Sequence, residues 1–383
     1  NGMDAIAPLK RAIAISRAVD GVPNPKLPIY YYQLAESETL AFRLDEAEAT
    51  AREGLRIAVA MNGEDHIHAM RLHLKLGDVL LASDRVREGL EQVLEAKAQL
   101  PGLVARTDSL HRPVILRASG IALFKAGDFD GALEDLQSSL GLVRTIGKLP
   151  LIAANTLEDI ADVLMDLGRV AAARAAFDEA ADIRRDIAQK ASRRTTYIAA
   201  RLAESEGRAD EALALLGEVG ADPAASPSET VAQLVRATLA ARIELEAGRL
   251  DEAKRLAASA SAITRDADFV AALETKIAAS ELVEGLAMLR GGYASGARPL
   301  LERTLATREA KLLPKSPLIA EAELALAECD VAEGRRASAL ARVERAAMIE
   351  EQHSSLSAEY TEPLARLRAA LRARPATHAP SAS

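Results

Sequence analysis

The chain carries one cysteine, Cys329, and no tryptophan, and aromatic residues make up only 3% of it. A single thiol excludes an internal disulfide and any metal site built from several thiolates. With aromatics scarce, Ala and Leu fill most apolar positions, a composition suited to closely packed helices. No uninterrupted apolar run reaches the ~20 residues that cross a bilayer, and the opening Asn1-Gly2-Met3 leads into no signal-peptide pattern. Positive charge is not in excess. Lys and Arg number 48 against 56 Asp and Glu, giving a net charge of −8, so nucleic acid is not the expected partner. Hydrophobic residues form 49% of the 383, which argues against a disordered chain.

What the sequence does hold is a repeat. The stretches Gly127-Asp128-Phe129-Asp130-Gly131-Ala132, Gly207-Arg208-Ala209-Asp210-Glu211-Ala212 and Gly248-Arg249-Leu250-Asp251-Glu252-Ala253 each separate two apolar helical runs. Their last small residue defines a series: Ala47, Gly89, Ala132, Ala173, Ala212, Ala253, Ala297 and Ala339, spaced by about 42 residues. Twelve positions earlier stand Ala35, Gly77, Gly120, Ala161, Ala200, Ala241, Gly285 and Ala327, all Ala or Gly. Small residues facing each other let two antiparallel helices approach closely. Apolar positions at three- and four-residue spacing, such as Leu157, Ile160, Leu164 and Leu167, fit helices on both sides of each turn. The register predicts eight hairpins turning near residues 43, 84, 128, 169, 208, 249, 293 and 335.

These features resemble the tetratricopeptide repeat (TPR), in the long-repeat variety of kinesin light chains. The family's third small position falls on Gly54, Ala96, Ser139, Ala180, Val219, Ala260, Thr304 and Ala346. Gly63-Glu64-Asp65-His66 resembles the connection that enters a first helix in such repeats, with Ile67 in place of Pro. Arg298 to Ala310 and Ser316 to Cys329 are similar to the C-terminal TPR region of bacterial serine/threonine protein kinases. That likeness implies a kinase domain upstream and a periplasmic location; without it, the chain is expected in the cytoplasm. The resemblance implies an all-α, right-handed α-solenoid over residues 1–353. The pattern of Ala5, Leu9 and Ala12 predicts an N-terminal orphan helix over 4–19, whose partner would lie upstream; amphipathic spacing predicts a capping helix over 354–373, and Pro, Ala and Ser composition a disordered tail over 374–383.

No enzyme is expected. The chain has no Gly-rich phosphate loop after a strand, no His-Arg-Asp and no Asp-Phe-Gly, and no nucleophile, base and oxyanion donors combine. His66, His68 and His73 form the densest histidine cluster, but residues two apart on a helix point apart, so solvated or connector histidines are expected and no metal or cofactor. Cys329, beside Ala327, is read as core. In the TPR family, the residues six and three before the first small position and one after it face the concave groove. That rule yields a partner-binding set of Tyr32, Arg71, Arg117, Asn155, Glu158, Asp162, Arg194, Tyr197, Arg201 and Arg242. The same stripe continues through Val235, Thr238, Ala279 and Leu282. Arg194, Tyr197, Arg201 and Arg242 suit an acidic or carboxylate group of a protein or peptide segment. Alternatively, these charges neutralise one another across adjacent hairpins. The leading function is a non-catalytic peptide-binding scaffold or sensor; the other is a small-ligand or self-association (homodimer) sensor that regulates an upstream domain.

Overall fold

A computed structural model describes residues 2–18, 24–101, 110–217, 226–262 and 267–372. Among them there is no β-strand. Helix α1 (Ile6–Ala18) precedes α2 (Leu27–Leu40) and α3 (Leu44–Asn62), the first of eight antiparallel hairpins. The second to fourth are α4 (Ile67–Ala82) with α5 (Val86–Ala98), α6 (His111–Ala126) with α7 (Phe129–Ile146), and α8 (Pro150–Asp166) with α9 (Val170–Asp186). Then follow α10 (Arg193–Ser205) with α11 (Ala209–Leu216), and α12 (Pro227–Glu246) with α13 (Leu250–Ser261). A short α14 (Ala267–Ala271) leads into α15 (Glu274–Arg290) with α16 (Ala294–Lys311), and α17 (Pro317–Ala332) with α18 (Arg336–Glu350) forms the eighth. Helix α19 (Ala358–Arg372) comes last.

The eight turns share one construction. A residue of positive φ ends each first helix, a glycine in six of them and Phe42 or Asp84 in the first two. The next residue donates its N–H to the carbonyl five positions back, as in Asp128 to Leu123 (2.9 Å), Arg208 to Ala203 (2.8 Å) and Arg335 to Asp330 (2.7 Å). This is the Schellman closure that satisfies a helix end, and it reverses the chain tightly. The small residues then lie where the two helices touch. Ala47, Ala132, Ala173, Ala212, Ala253, Ala297 and Ala339 are fully buried, as are Ala35, Ala161, Ala200, Ala241 and Ala327. A methyl on Gly77 would lie 2.5 Å from Val93 and 3.0 Å from the Gly89 carbonyl oxygen, so the backbones there leave no room for one.

Where the third small position carries a hydroxyl, a carbonyl of the partner helix takes it up. Ser139 donates to Pro113 (2.6 Å) and Thr304 to Ala278 (3.1 Å), both across 26 residues. Val219 and the 374–383 tail lie outside the described residues.

The solenoid completes a turn and meets itself. Phe42 packs on Phe269 with ring centroids 5.0 Å apart. Arg87 donates to the carbonyls of Glu309 (2.7 Å) and Leu312 (2.8 Å), and the Leu313 N–H donates to Ala126 (2.9 Å). Lys315 pairs with Asp128 at 2.7 Å, and the Ser357 N–H donates to Asp166 at 2.8 Å. Phe129, buried at the start of α7, has the rings of Phe124, His353 and Tyr360 within 6.0 Å. The turns of hairpins 1 to 4 thus rest on the connectors that precede hairpin 7, hairpin 8 and α19. Sequence reading expects the final helix as a cap on the last hairpin. Leu364, Leu367 and Leu371 do pack with Leu324, Val343 and Ala347, but residues 353–360 also bind hairpins 3 and 4.

Candidate ligand-binding groove

The groove is built from the first helices, whose inward residues recur about every 40 positions. On hairpins 3 to 5 they form a continuous ladder of ion pairs. Arg117 reaches Asp159 at 2.6 Å, and Asp159 also meets Arg194. Arg194 lies 3.8 Å from Asp162, which pairs with Arg201, and Arg201 binds Asp166 with both contacts at 3.1 Å. The Tyr360 hydroxyl from across the seam donates to Asp166 at 3.1 Å. Burial pushes the carboxyls of Asp159 and Asp166 above the ordinary range, although the neighbouring guanidinium groups oppose it. Arg242 lies 3.4 Å from Glu321 and also contacts Glu359.

Asn155 and Glu158 hold a different place from the open groove wall expected of them. Glu158 is buried and receives two bonds from Arg184 of α9, at 2.8 and 2.9 Å, and the Thr195 hydroxyl of α10 at 2.9 Å. Asn155 accepts from the same Arg184 at 2.8 Å. Arg184 thus ties the two helices of hairpin 4 together, and Thr195 ties Glu158 to hairpin 5. Near the N-terminal end, the Tyr32 ring has Arg71 at 4.6 Å and Lys75 at 5.0 Å over its face, a cation–π cluster rather than an open recognition surface. Arg201, expected to face the groove and engage a partner, has a side chain only 17% exposed and held by two carboxylates. Reversing its charge would set a third carboxylate beside them, so that substitution changes stability as well as recognition.

Tyr197, Arg201, Val235, Thr238, Arg242 and Ala279, all on the expected stripe of hairpins 5 to 7, do converge on one cavity. Burial raises the Tyr197 hydroxyl to about 12, so it stays a neutral hydrogen-bonding group. The opposite wall is not on the stripe. It comes from the ends of first helices and the turns after them, through Leu81, Asp84, Phe124, Lys125 and Phe129, and from the crossing connectors and the helix starts that follow them, through Leu312, Leu318 and Tyr360. A sequence signal for the near half existed: Leu81 and Phe124 each stand four residues after the small position of their first helix. Nothing local signals the connectors.

The remaining candidates have structural places. His66 is the N-cap of α4 and its ring accepts the His68 N–H at 3.2 Å, while His73 bonds Gln92 at 3.0 Å. Cys329 is fully buried, and burial raises its thiol pKa. Among the described residues no helix is long and apolar enough to cross a membrane.

Residues 153–189 match the tetratricopeptide repeat family, a span of hairpin 4 that includes the Glu158–Arg184 staple. No curated protein matches the chain. Among solved structures, a Rap protein complexed with Competence and Sporulation Factor superposes with a TM-score of 0.57 at 15% identity, covering 90% of this chain and 98% of that one. NprR in complex with its cognate peptide NprX gives 0.51 at 14% identity, over 88% of this chain and 100% of that one. The apo form of the quorum sensor NprR from B. thuringiensis gives 0.49 at 11% identity, over 88% and 97%. At these identities the likeness is one of fold, and the fold it shows is an α-solenoid of TPR-like hairpins.

Proposed function

We propose that the chain is a non-catalytic receptor that binds a peptide or protein segment within its superhelix. One observation carries this reading: the concave stripe of hairpins 5 to 7 converges on a half-open cavity, opposite connectors that close the superhelical turn. A preformed concave surface offsets the entropy lost when a segment is ordered on it. The NprR structure, bound to its cognate peptide, supports the reading through a shared fold. The test is selection of a phage-displayed random peptide pool on the protein and on Ala279→Trp. This substitution fills the cavity without breaking an ion pair. Peptides enriched on the parent are expected to lose capture on the variant while the helical circular-dichroism signal stays unchanged. Equal capture by both would overturn the groove site.

Two finer elements belong to the same proposal. The similarity of Arg298–Ala310 and Ser316–Cys329 to kinase C-terminal repeats suggests a place downstream of a kinase catalytic domain, which the upstream reading frame tests. Self-association would appear in light scattering as twice the 40.7 kDa chain mass.

A further inference from the structure

The cavity between the concave faces of α10, α12 and α15 and the crossing connectors has a volume of about 340 Å3, within the range of small-ligand sites. Much of its wall is apolar, with Leu81, Phe124, Val235, Leu239, Leu312 and Leu318 among the lining residues. Most charged groups that line it are already matched. Arg201 has Asp162 and Asp166, Arg242 has Glu321 and Glu359, and Arg308 has Glu321 at 2.8 Å. Asp84 pairs with Lys311 at 3.2 Å and accepts the Thr275 N–H at 2.8 Å.

Two cations break this pattern. Lys125, near the end of α6, and Lys276, near the start of α15, both line the cavity, and neither makes an ion pair or hydrogen bond among the described residues. The carboxylates that act on Lys125 are Asp78 and Asp84, and each is closely held by another lysine, Lys75 at 3.3 Å and Lys311 at 3.2 Å. Glu204, also in the wall, has Arg242 and Arg201 as its cations. Lys125 is exposed to solvent at this half-open cavity. Burial, followed by the repulsion of Lys276, holds its ammonium down to about 8. Burial lowers Lys276 as well. Two ammonium groups that line one cavity and repel each other without a direct ion pair are unfavourable, and an anion placed between them relieves that repulsion.

We propose that this cavity binds a carboxylate carried on an apolar group, with the carboxylate on Lys125 and Lys276 and the apolar part against Phe124, Leu239 and Leu312. Such a carboxylate comes either from a free small acid or from the last residue of a peptide. The assignment stands apart from the peptide reading of the groove, because a free acid alone supports it.

Isothermal titration of the whole chain separates the sources. One titrant is octanoate and the other an acetylated tetrapeptide ending in a leucine free acid, each compared with its neutral amide. At least one acid is expected to bind at one saturable site, its amide roughly tenfold to a hundredfold more weakly. Octanoate binding alone assigns the free acid, and peptide binding alone assigns the chain end. The Lys125→Met/Lys276→Met double variant, which keeps side-chain length, is expected to lose the preference for acid over amide. No saturable binding of either acid, equal binding of acid and amide, or a preference that survives in the double variant would overturn the proposal. The comparison of acid with amide on the unsubstituted protein decides the matter even if the double variant does not fold.

Discussion

The turns of hairpins 3 and 4 and those of hairpins 5 and 6 have the same backbone, yet they live in different surroundings. Gly127 and Gly168 have positive φ, as do Gly207 and Gly248. A methyl on Gly127 would lie 2.0 Å from the Ser316 hydroxyl, and one on Gly168 would lie 3.0 Å from the Leu356 carbonyl oxygen. At Gly207 and Gly248 it would meet nothing within 4 Å. A local motif therefore does two jobs in one half of the superhelix and one job in the other. The reversal of the chain needs a positive φ in every turn, and at hairpins 3 and 4 the crossing connectors also need the side chain to be missing.

Four tests sharpen this contrast. Phe129→Ala removes the ring on which Phe124, His353 and Tyr360 converge, and is expected to cost about 3–5 kcal/mol in chemical denaturation. The same melts distinguish the turns. Gly248→Ala is expected to lose about 1–2 kcal/mol from its left-handed φ alone, whereas Gly127→Ala adds about 1–3 kcal/mol of crowding against Ser316. Equal losses at both would mean that the seam opens freely in solution.

Ala173→Leu and Ala253→Leu, one in each region, should each overpack a hairpin by about 1–3 kcal/mol. The two costs are expected to match, because the contrast lies in the turns and not in the helix pairs. The smallest effect concerns acid. Hydrogen bonds from Arg174 and Arg208 hold Glu206, at the open turn of hairpin 5, down to about 2. Its folded value lies below the ordinary 4.5, so its contribution is present above pH 4.5 and is lost as pH falls towards 2. Asp166 in the seam has the opposite sign. Burial raises it, so its contribution is greatest at low pH and is lost as pH rises through the raised value. Thermal melts between pH 6 and 2.5 should therefore show a smaller acid loss for Glu206→Gln than for the parent.

Much of the fold was legible because it is periodic. The small residues at Ala35 and Ala47, or Ala241 and Ala253, carry a spacing that survives without any knowledge of neighbours, and each turn follows from it. The concave stripe on hairpins 5 to 7 was legible for the same reason. Glu158 was harder, because a buried carboxylate stapled to Arg184 and one facing a groove occupy the same helical register. Lys125 was invisible as a site residue: it lies five residues past Gly120, outside the stripe. The seam was illegible altogether. Contacts such as Ser354 to Asp130 join residues 224 positions apart, and their partners recur at no fixed offset.

That separation has a consequence during synthesis. Stacked hairpins need only their neighbours and can settle as they leave the ribosome. The seam cannot, because Asp130 must wait for a residue 224 positions later. At about 5–20 residues per second this is a delay of roughly 10–45 s. For that time the nascent chain exposes Phe129 and the rim of hairpins 3 and 4 as an open spiral, and the ring shuts only once the last connector has been made.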